Sequence, residues 1–323
     1  MESLELLTLS LCSKKSRKLI ASLQLESFFT CITIGETASL NIAFHNKTEI
    51  MMHFNSRRSE NNTQLITEIQ VDTVEVEFGA ADEIGFLNVE ELTSYTWTKP
   101  EWSFEDWAEL IIEIFGVKFG AISFDTESQI YDLPSLKLQL ESLHENVVLV
   151  QEECPKSFHQ MVYATFQPLN GVCISTNPYP DVVTFQRLLH RNFNYIEVNN
   201  ECPATLEELL ITNSKSLELY NCVKITVKDI NKFIRLWQKG SNRAMIFMAI
   251  RMPIGKVLEV EKVLKGTKYQ VVSEKRELKL TSEKYVEFTV TGGYDVRGKN
   301  GIVATVKIVE KNERHCLEFY VWH

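Results

Sequence analysis

An α/β chain with a curved ribbon of parallel strands at its centre and antiparallel β segments on both sides is the architecture the sequence predicts. Three observations carry that prediction. A short apolar-x-apolar pattern recurs at Ile122/Phe124, Val148/Val150, Val172/Ile174, Ile196/Val198, Leu217/Leu219 and Ile246/Met248, in steps of 26, 24, 24, 21 and 29 residues. Segments of helical spacing separate these pieces, four of them opening near a proline (Pro134, Pro155, Pro180, Pro203), where the missing N–H costs a first helical turn nothing. The flanking stretches alternate with period two and lack helices long enough for crossovers. Strand, helix and strand in one sheet force parallel pairing, and the interval falls within that of leucine-rich-repeat-like solenoids. The repeat is degenerate: Asn177 and Cys222 fit the position that signature reserves for Asn or Cys, whereas Glu127, Glu153 and Glu201 do not.

Four regions follow in order. Residues 1–27 hold a Leu-rich helical segment and the basic run Lys14, Lys15, Arg17, Lys18, read as a solvated face. Residues 28–118 form a β-rich region with one helix: Cys31 to Ile34, Leu40 to Phe44, Ile50 to Phe54 and Val71 to Phe78 make an antiparallel meander, and Ser103 with Asp106 forms a capping box before Trp107, Leu110, Ile111 and Ile114. Residues 119–252 are the α/β repeats, with helical faces at Phe158, Met161, Val162 and Thr165 and at Leu206, Leu209 and Leu210. Ile230, Phe233, Ile234 and Trp237 share one face of a helix ended by Gly240. Residues 253–323 form an antiparallel cap of Tyr285 to Thr291, a turn at Gly292-Gly293-Tyr294-Asp295, Ile302 to Val309 and Leu317 to Trp322.

Composition excludes several classes. The chain has 323 residues, 44% of them hydrophobic, enough to bury a core without staples. A net charge of -9 argues against a nonspecific grip on phosphate backbones unless basic residues are locally concentrated. Seven cysteines, at 12, 31, 154, 173, 202, 222 and 316, include no C-x-x-C pair, which suits reduced thiols in an intracellular setting, cytoplasmic or nuclear. Glu2 and Glu5 precede the apolar start and the basic residues follow it, the reverse of a signal peptide, and the run Ala244 to Ile250 is too short for a bilayer. The sequons Asn46-Lys47-Thr48 and Asn61-Asn62-Thr63 are discounted accordingly.

Catalytic signatures are missing. Gly293-x4-Gly298-Lys299 imitates a phosphate loop, but Asn300 replaces the Ser or Thr and a strand follows where a helix is required. The histidines at 45, 53, 144, 159, 190, 315 and 323 have no ligand spacing with the cysteines. Tyr95, Trp97, Trp102, Phe104 and Trp107 read as core packing, and Glu90-Glu91, Glu101, Glu105 and Asp106 as solvated carboxylates and a helix start. No enzyme, cofactor or metal is expected.

The string Leu4 to Ile20, with Ser10-Leu11-Cys12-Ser13-Lys14-Lys15-Ser16 at its centre, resembles the second half of the F-box in the large nematode family of F-box proteins. Ser216 to Leu219, Val227 to Asn242, the Gly292 to Asp295 segment and the ending Phe319-Tyr320-Val321-Trp322 resemble that family's F-box-associated domain of the second type. The resemblance implies a partial F-box as an N-terminal helical remnant, docking a Skp-type adaptor and its cullin through Leu6, Leu7, Leu9, Leu11, Lys14 and Leu19. It also implies capture of a protein for ubiquitination, with the transfer chemistry elsewhere. The Leu-Pro dipeptide and first helix of that F-box would lie ahead of Met1, so weak adaptor binding, or none, is expected of residues 1–323 alone. The alternative is a freestanding interaction scaffold without an adaptor.

Period two sends the apolar positions inward and the intervening ones onto the ribbon's concave face. Tyr195, Glu197, Asn199, Glu218, Tyr220 and Phe247 are thereby the expected target-binding set, with Ser123, Leu149, Cys173 and Ser175 on the same face. Two tyrosines beside two carboxylates suit a target surface carrying Lys or Arg. A plain wet sheet face, or cover by the C-terminal strands, is the competing reading.

Overall fold

A computed structural model of the chain describes residues 3–23, 25, 27–44, 48–55, 65–80, 93–99, 101–116, 120–141, 147–167, 170–176, 178–179, 181–199, 203–280, 286–311 and 313–322. Outside them lie Pro180, Asn177, Cys202, Glu201, Glu90-Glu91, Tyr285, His45, His144, His323 and most of both sequons. The chain is mixed α/β and divides into two compact units, 1–168 and 169–323.

The first unit begins with helices α1 (Ser3–Cys12) and α2 (Lys14–Ala21), the second capped by the Ser13 hydroxyl. Strands β1 (Ser27–Ile34), β2 (Ala38–Phe44), β3 (Thr48–Asn55), β4 (Thr73–Ala80) and β5 (Thr93–Trp97) form the antiparallel meander. β2 alternates buried and half-buried residues along its whole length, as a half-covered strand must. On its other edge β1 pairs in parallel with β6 (Ala121–Phe124), Cys31 opposite Ala121, and β6 pairs in parallel with β7 (Val147–Val150).

Helix α3 (Phe104–Phe115) has the expected Ser103/Asp106 capping box and covers the meander, Phe104 meeting Phe54 edge-on at 4.9 Å and Phe115 meeting Phe44 at 5.2 Å. Trp107 is fully buried between Trp97 and Trp102, whereas Tyr95 of the same aromatic run is exposed on the edge strand. Helices α4 (Leu133–Leu140) and α5 (Lys156–Phe166) follow; α5 buries Phe158, His159, Val162, Tyr163 and Phe166, so Met161 points to solvent instead of inward.

In the second unit β8 (Gly171–Ile174), β9 (Tyr195–Val198), β10 (Ser216–Leu219) and β11 (Phe247–Arg251) run parallel, separated by α6 (Val182–Leu189), α7 (Leu206–Ile211) and α8 (Val227–Gln238). Strand β11 begins one residue later than the Ile246/Met248 pattern predicts: Met248 pairs with Leu217, while Ile246 packs on the Phe247 cluster. The helices cover one face of these strands, Phe185, Leu189 and Leu209 lying with Val198, Leu217 and Leu219. Capping boxes Thr205/Glu208 and Thr226/Asp229 start α7 and α8, and α8 buries Ile230, Phe233, Ile234 and Trp237. Trp237 stands edge-on to Phe319 at 5.0 Å.

After α9 (Val260–Val263) come β12 (Tyr269–Leu280), β13 (Val286–Arg297), β14 (Val303–Lys311) and β15 (Arg314–Trp322), with β15 antiparallel to β11. Two corrections arise here. Strand β12 adds to the expected three, and Gly292-Gly293 is not a turn but lies inside β13. Both glycines have positive φ, +67° and +128°, opposite a register shift between Val272 and Lys275. A glycine pair there bends the strand without reversing it. A Cβ on Gly293 would sit 2.6 Å from Thr305 Cγ2, so only glycine admits that approach. Gly298 to Gly301 connects β13 to β14, a hairpin connection as read from sequence.

Candidate functional site

The helix-free face of the second unit carries the expected target-binding residues. Alternation places Tyr195, Glu197, Glu218 and Tyr220 here, opposite in sense to Val198, Leu217 and Leu219, and the pairing sets Glu197 beside Glu218. Each of three glutamates accepts a hydrogen bond from a phenol two residues away: Tyr195 donates to Glu197, Tyr220 to Glu218 at 3.2 Å, and Tyr320 to Glu318 at 2.8 Å. Arg251 reaches Glu218 at 3.7 Å and lies over the Tyr220 ring, 3.9 Å from its centroid, while Lys311 meets Glu318 at 3.1 Å. Asn199 donates to Cys173 Sγ at 3.5 Å.

Burial, reinforced by the neighbouring carboxylates, drives all three tyrosine pKa values upward, and it pushes the Cys316 thiol to about 11. The phenols therefore remain donors, and the face offers fixed carboxylate oxygens in place of a mobile acid-base pair.

Tyr195 and Phe247 need correcting: they are only 5% and 3% exposed, so neither presents a contact surface. Phe247 lies 5.2 Å from Tyr320 in a cluster with Ala249, Val290 and Cys316, and Val290 comes from β13. The C-terminal strands thus supply the cover over Phe247. A network holds β12 and β13 here: Arg276 bonds both Asp295 oxygens, at 3.1 and 2.9 Å, and Thr305 at 2.7 Å, and lies 4.6 Å from the Trp322 ring centroid. Ser123, Cys173 and Ser175 are buried as well, whereas Glu197, Asn199, Glu218 and Tyr220 stay half-buried. Sequence reasoning missed Arg251, Glu318 and Tyr320; the signal was the repeat Tyr195-x-Glu197, Glu218-x-Tyr220, Glu318-x-Tyr320.

At the N-terminus the expected adaptor residues divide. Leu6 and Leu7 are buried in the first unit's core, a correction set by the helix phase that turns both inward. Leu9 is 43% and Leu19 68% exposed; Lys14 is exposed and Leu11 half-buried. Arg17, by contrast, is engaged, with Glu113 at 3.9 Å and the Trp102 ring at 5.3 Å. Among the described residues no group of three or more His, Cys, Asp or Glu could hold a metal, and no helix is long and apolar enough to cross a membrane.

Residues 184–250, from within α6 to β11, match the family model of F-box associated domains. That segment contains the half-buried Glu197, Asn199, Glu218 and Tyr220 and the whole of α8. No curated protein and no solved structure matches the chain.

Proposed function

We propose that the chain is the substrate-recognition subunit of a Skp-cullin-F-box type ubiquitin ligase, of the kind found in nematodes. The observation that carries this reading is the F-box associated match over 184–250. Leu9, Leu11, Lys14 and Leu19, on α1 and α2, form the adaptor contact; two exposed leucines on a short helical pair are a surface that favours cover. Glu197, Asn199, Glu218 and Tyr220 meet a target surface bearing Lys or Arg, their carboxylates already oriented by phenol donors. Within the second unit, the successive strand-helix steps from β8 to β11 are read as turns of a leucine-rich-like solenoid. The chain works inside the cell, in cytoplasm or nucleus, without cofactor, nucleic acid or membrane, and leaves the transfer chemistry to other subunits.

Reconstitution tests this. The chain is combined with a Skp-type adaptor, cullin, the remaining ligase components and a cell extract, and ubiquitination is followed by mass spectrometry. Proteins modified only when the chain is present, and spared with Glu197→Lys/Tyr220→Ala, are the expected result. A modified set identical with and without the chain would overturn the reading.

A further inference from the structure

The net charge hides a strong partition. Residues 169–323 carry 23 Lys and Arg against 17 Asp and Glu, a formal +6, whereas 1–168 carry 11 against 26, a formal -15, which together restore -9. The positive unit concentrates its charge on α8. Lys228, Lys232, Arg235 and Lys239 follow one another in steps of four, three and four, so they form one line along the helix, opposite the buried Ile230, Phe233, Ile234 and Trp237. All four are exposed, and none forms an ion pair among the described residues. Like charges three and four apart weaken a helix, and Lys228 in the first turn also opposes the helix dipole. The acidic residue of that turn, Asp229, is already engaged by Thr226. Arg235 in the last turn does favour the dipole, so helix stability accounts for the C-terminal end of the line but not for Lys228 and Lys232.

Beyond Lys239 lies a slot. Trp237, Ile302 and Val321 line it with apolar surface, and Arg243 and Lys299 approach its rim. Two glycines keep it open: a Cβ on Gly240 would lie 3.4 Å from both Arg243 and Lys299, and one on Gly298 would lie 2.9 Å from the Trp237 ring.

We infer that the outer face of α8, with the slot at its end, is a docking surface for an acidic protein segment carrying one apolar anchor. The eleven steps from Lys228 to Lys239 span about 16 Å, three turns of an opposing acidic helix. An apolar slot between two cations suits a leucine-like side chain flanked by carboxylates. It does not suit a single-stranded polynucleotide, whose bases stack on exposed rings, and α8 exposes none. This surface goes beyond the ligase reading and does not depend on it.

The test uses the full chain and fluorescence anisotropy at 0.15 M salt. Its probe is a labelled helical peptide with glutamates at i, i+4, i+7 and i+11 and one leucine after them; comparison probes replace each Glu by Gln, or are a single-stranded RNA of equal charge. The acidic peptide is expected to bind in the micromolar range. Binding is expected to weaken at least tenfold with the Gln probe, and likewise with Lys228→Gln/Lys232→Gln/Arg235→Gln/Lys239→Gln, which should melt no lower than the parent. Lys228→Glu/Lys232→Glu serves as a second route to the same loss. No binding of the acidic peptide, equal binding by the Gln probe or the variants, tighter binding of the RNA, or a lower melting temperature in the neutralised variant would overturn the inference. No adaptor is present, so this outcome and that of the ligase reconstitution fail separately.

Discussion

Trp237→Ala removes the largest side chain that α8 places against the sheet of the second unit. The indole is 5% exposed and edge-on to Phe319, with Phe233 on the same phenyl ring at 6.0 Å. Truncating a buried Trp costs roughly 3 to 5 kcal/mol, about 0.5 to 1.5 of it from the aromatic pair. One edge of the ring already lines the slot beside Gly240, Gly298 and Lys299, so the void opens to water and the lower part of that range applies. A loss of about 3 kcal/mol is a large share of the roughly 5 to 15 that holds a domain together. Because the chain has two compact units, a single melting midpoint mixes their transitions. Hydrogen exchange read by mass spectrometry over residues 227–238 isolates the effect, and about 3 kcal/mol corresponds to roughly a 100-fold loss of protection at about 1.4 kcal/mol per decade. Unchanged protection there would show that the indole does not anchor α8 and would refute the packing argument.

Gly293→Ala places a Cβ 2.6 Å from Thr305 Cγ2 at φ +128°, and should lower the thermal midpoint more than Gly292→Ala, whose nearest contact is 3.3 Å; equal losses would argue against the bend. His159 is fully buried, and burial holds its pKa below the ordinary value, opposed in part by the backbone of Gln151 and Cys154. The unfolded chain therefore takes up a proton first, so stability is full above about pH 6.5 and falls below it. Relative to its own value at pH 7.5, His159→Leu should lose less stability than the parent on acidification to pH 5.5; parallel pH curves would contradict this. Burial also pushes the Cys31 and Cys154 thiols to about 11, and Cys173 and Cys222 are buried, whereas Cys12 is exposed. In a Cys202→Ser background one thiol should react quickly with a disulfide reagent, and Cys12→Ser should abolish it; two or more fast thiols would contradict the burial pattern.

Much of the fold is legible because its signals are local. The strands at Ile122, Val148, Val172, Ile196 and Leu217 announce themselves by period two, α3 by its capping box, and α8 by four apolar residues on one stripe. What escaped depends on distant partners. The parallel pairing of β1 with β6 joins residues 90 apart, Cys31 with Ala121, across the whole meander. Strand β12 reads as polar sequence since most of its described side chains stay exposed, and Gly292-Gly293 looks like a turn until the neighbouring Thr305 explains why a bent but unreversed strand needs glycine there. Tyr195 and Phe247 sit at the expected positions in the pleat, but pleat phase says only which face a residue occupies. Cover over Phe247 comes from Val290 and Tyr320, more than 40 residues away. The cationic line of α8 is visible in the spacing and was obscured by a net charge averaged over two units of opposite sign.

Association of residues 1–323 with a Skp-type adaptor through the exposed leucines of α1 and α2 is the contact on which the proposed role depends. Co-purification of the adaptor with the parent chain and with Leu9→Glu/Leu19→Glu decides it, since both changes lie on solvent-facing positions and should leave the melting temperature unaltered. The proposed role requires measurable adaptor binding by the parent, weak enough to need equilibrium detection, and its loss in the double variant. No association with the parent, or equal association with both proteins, would contradict it.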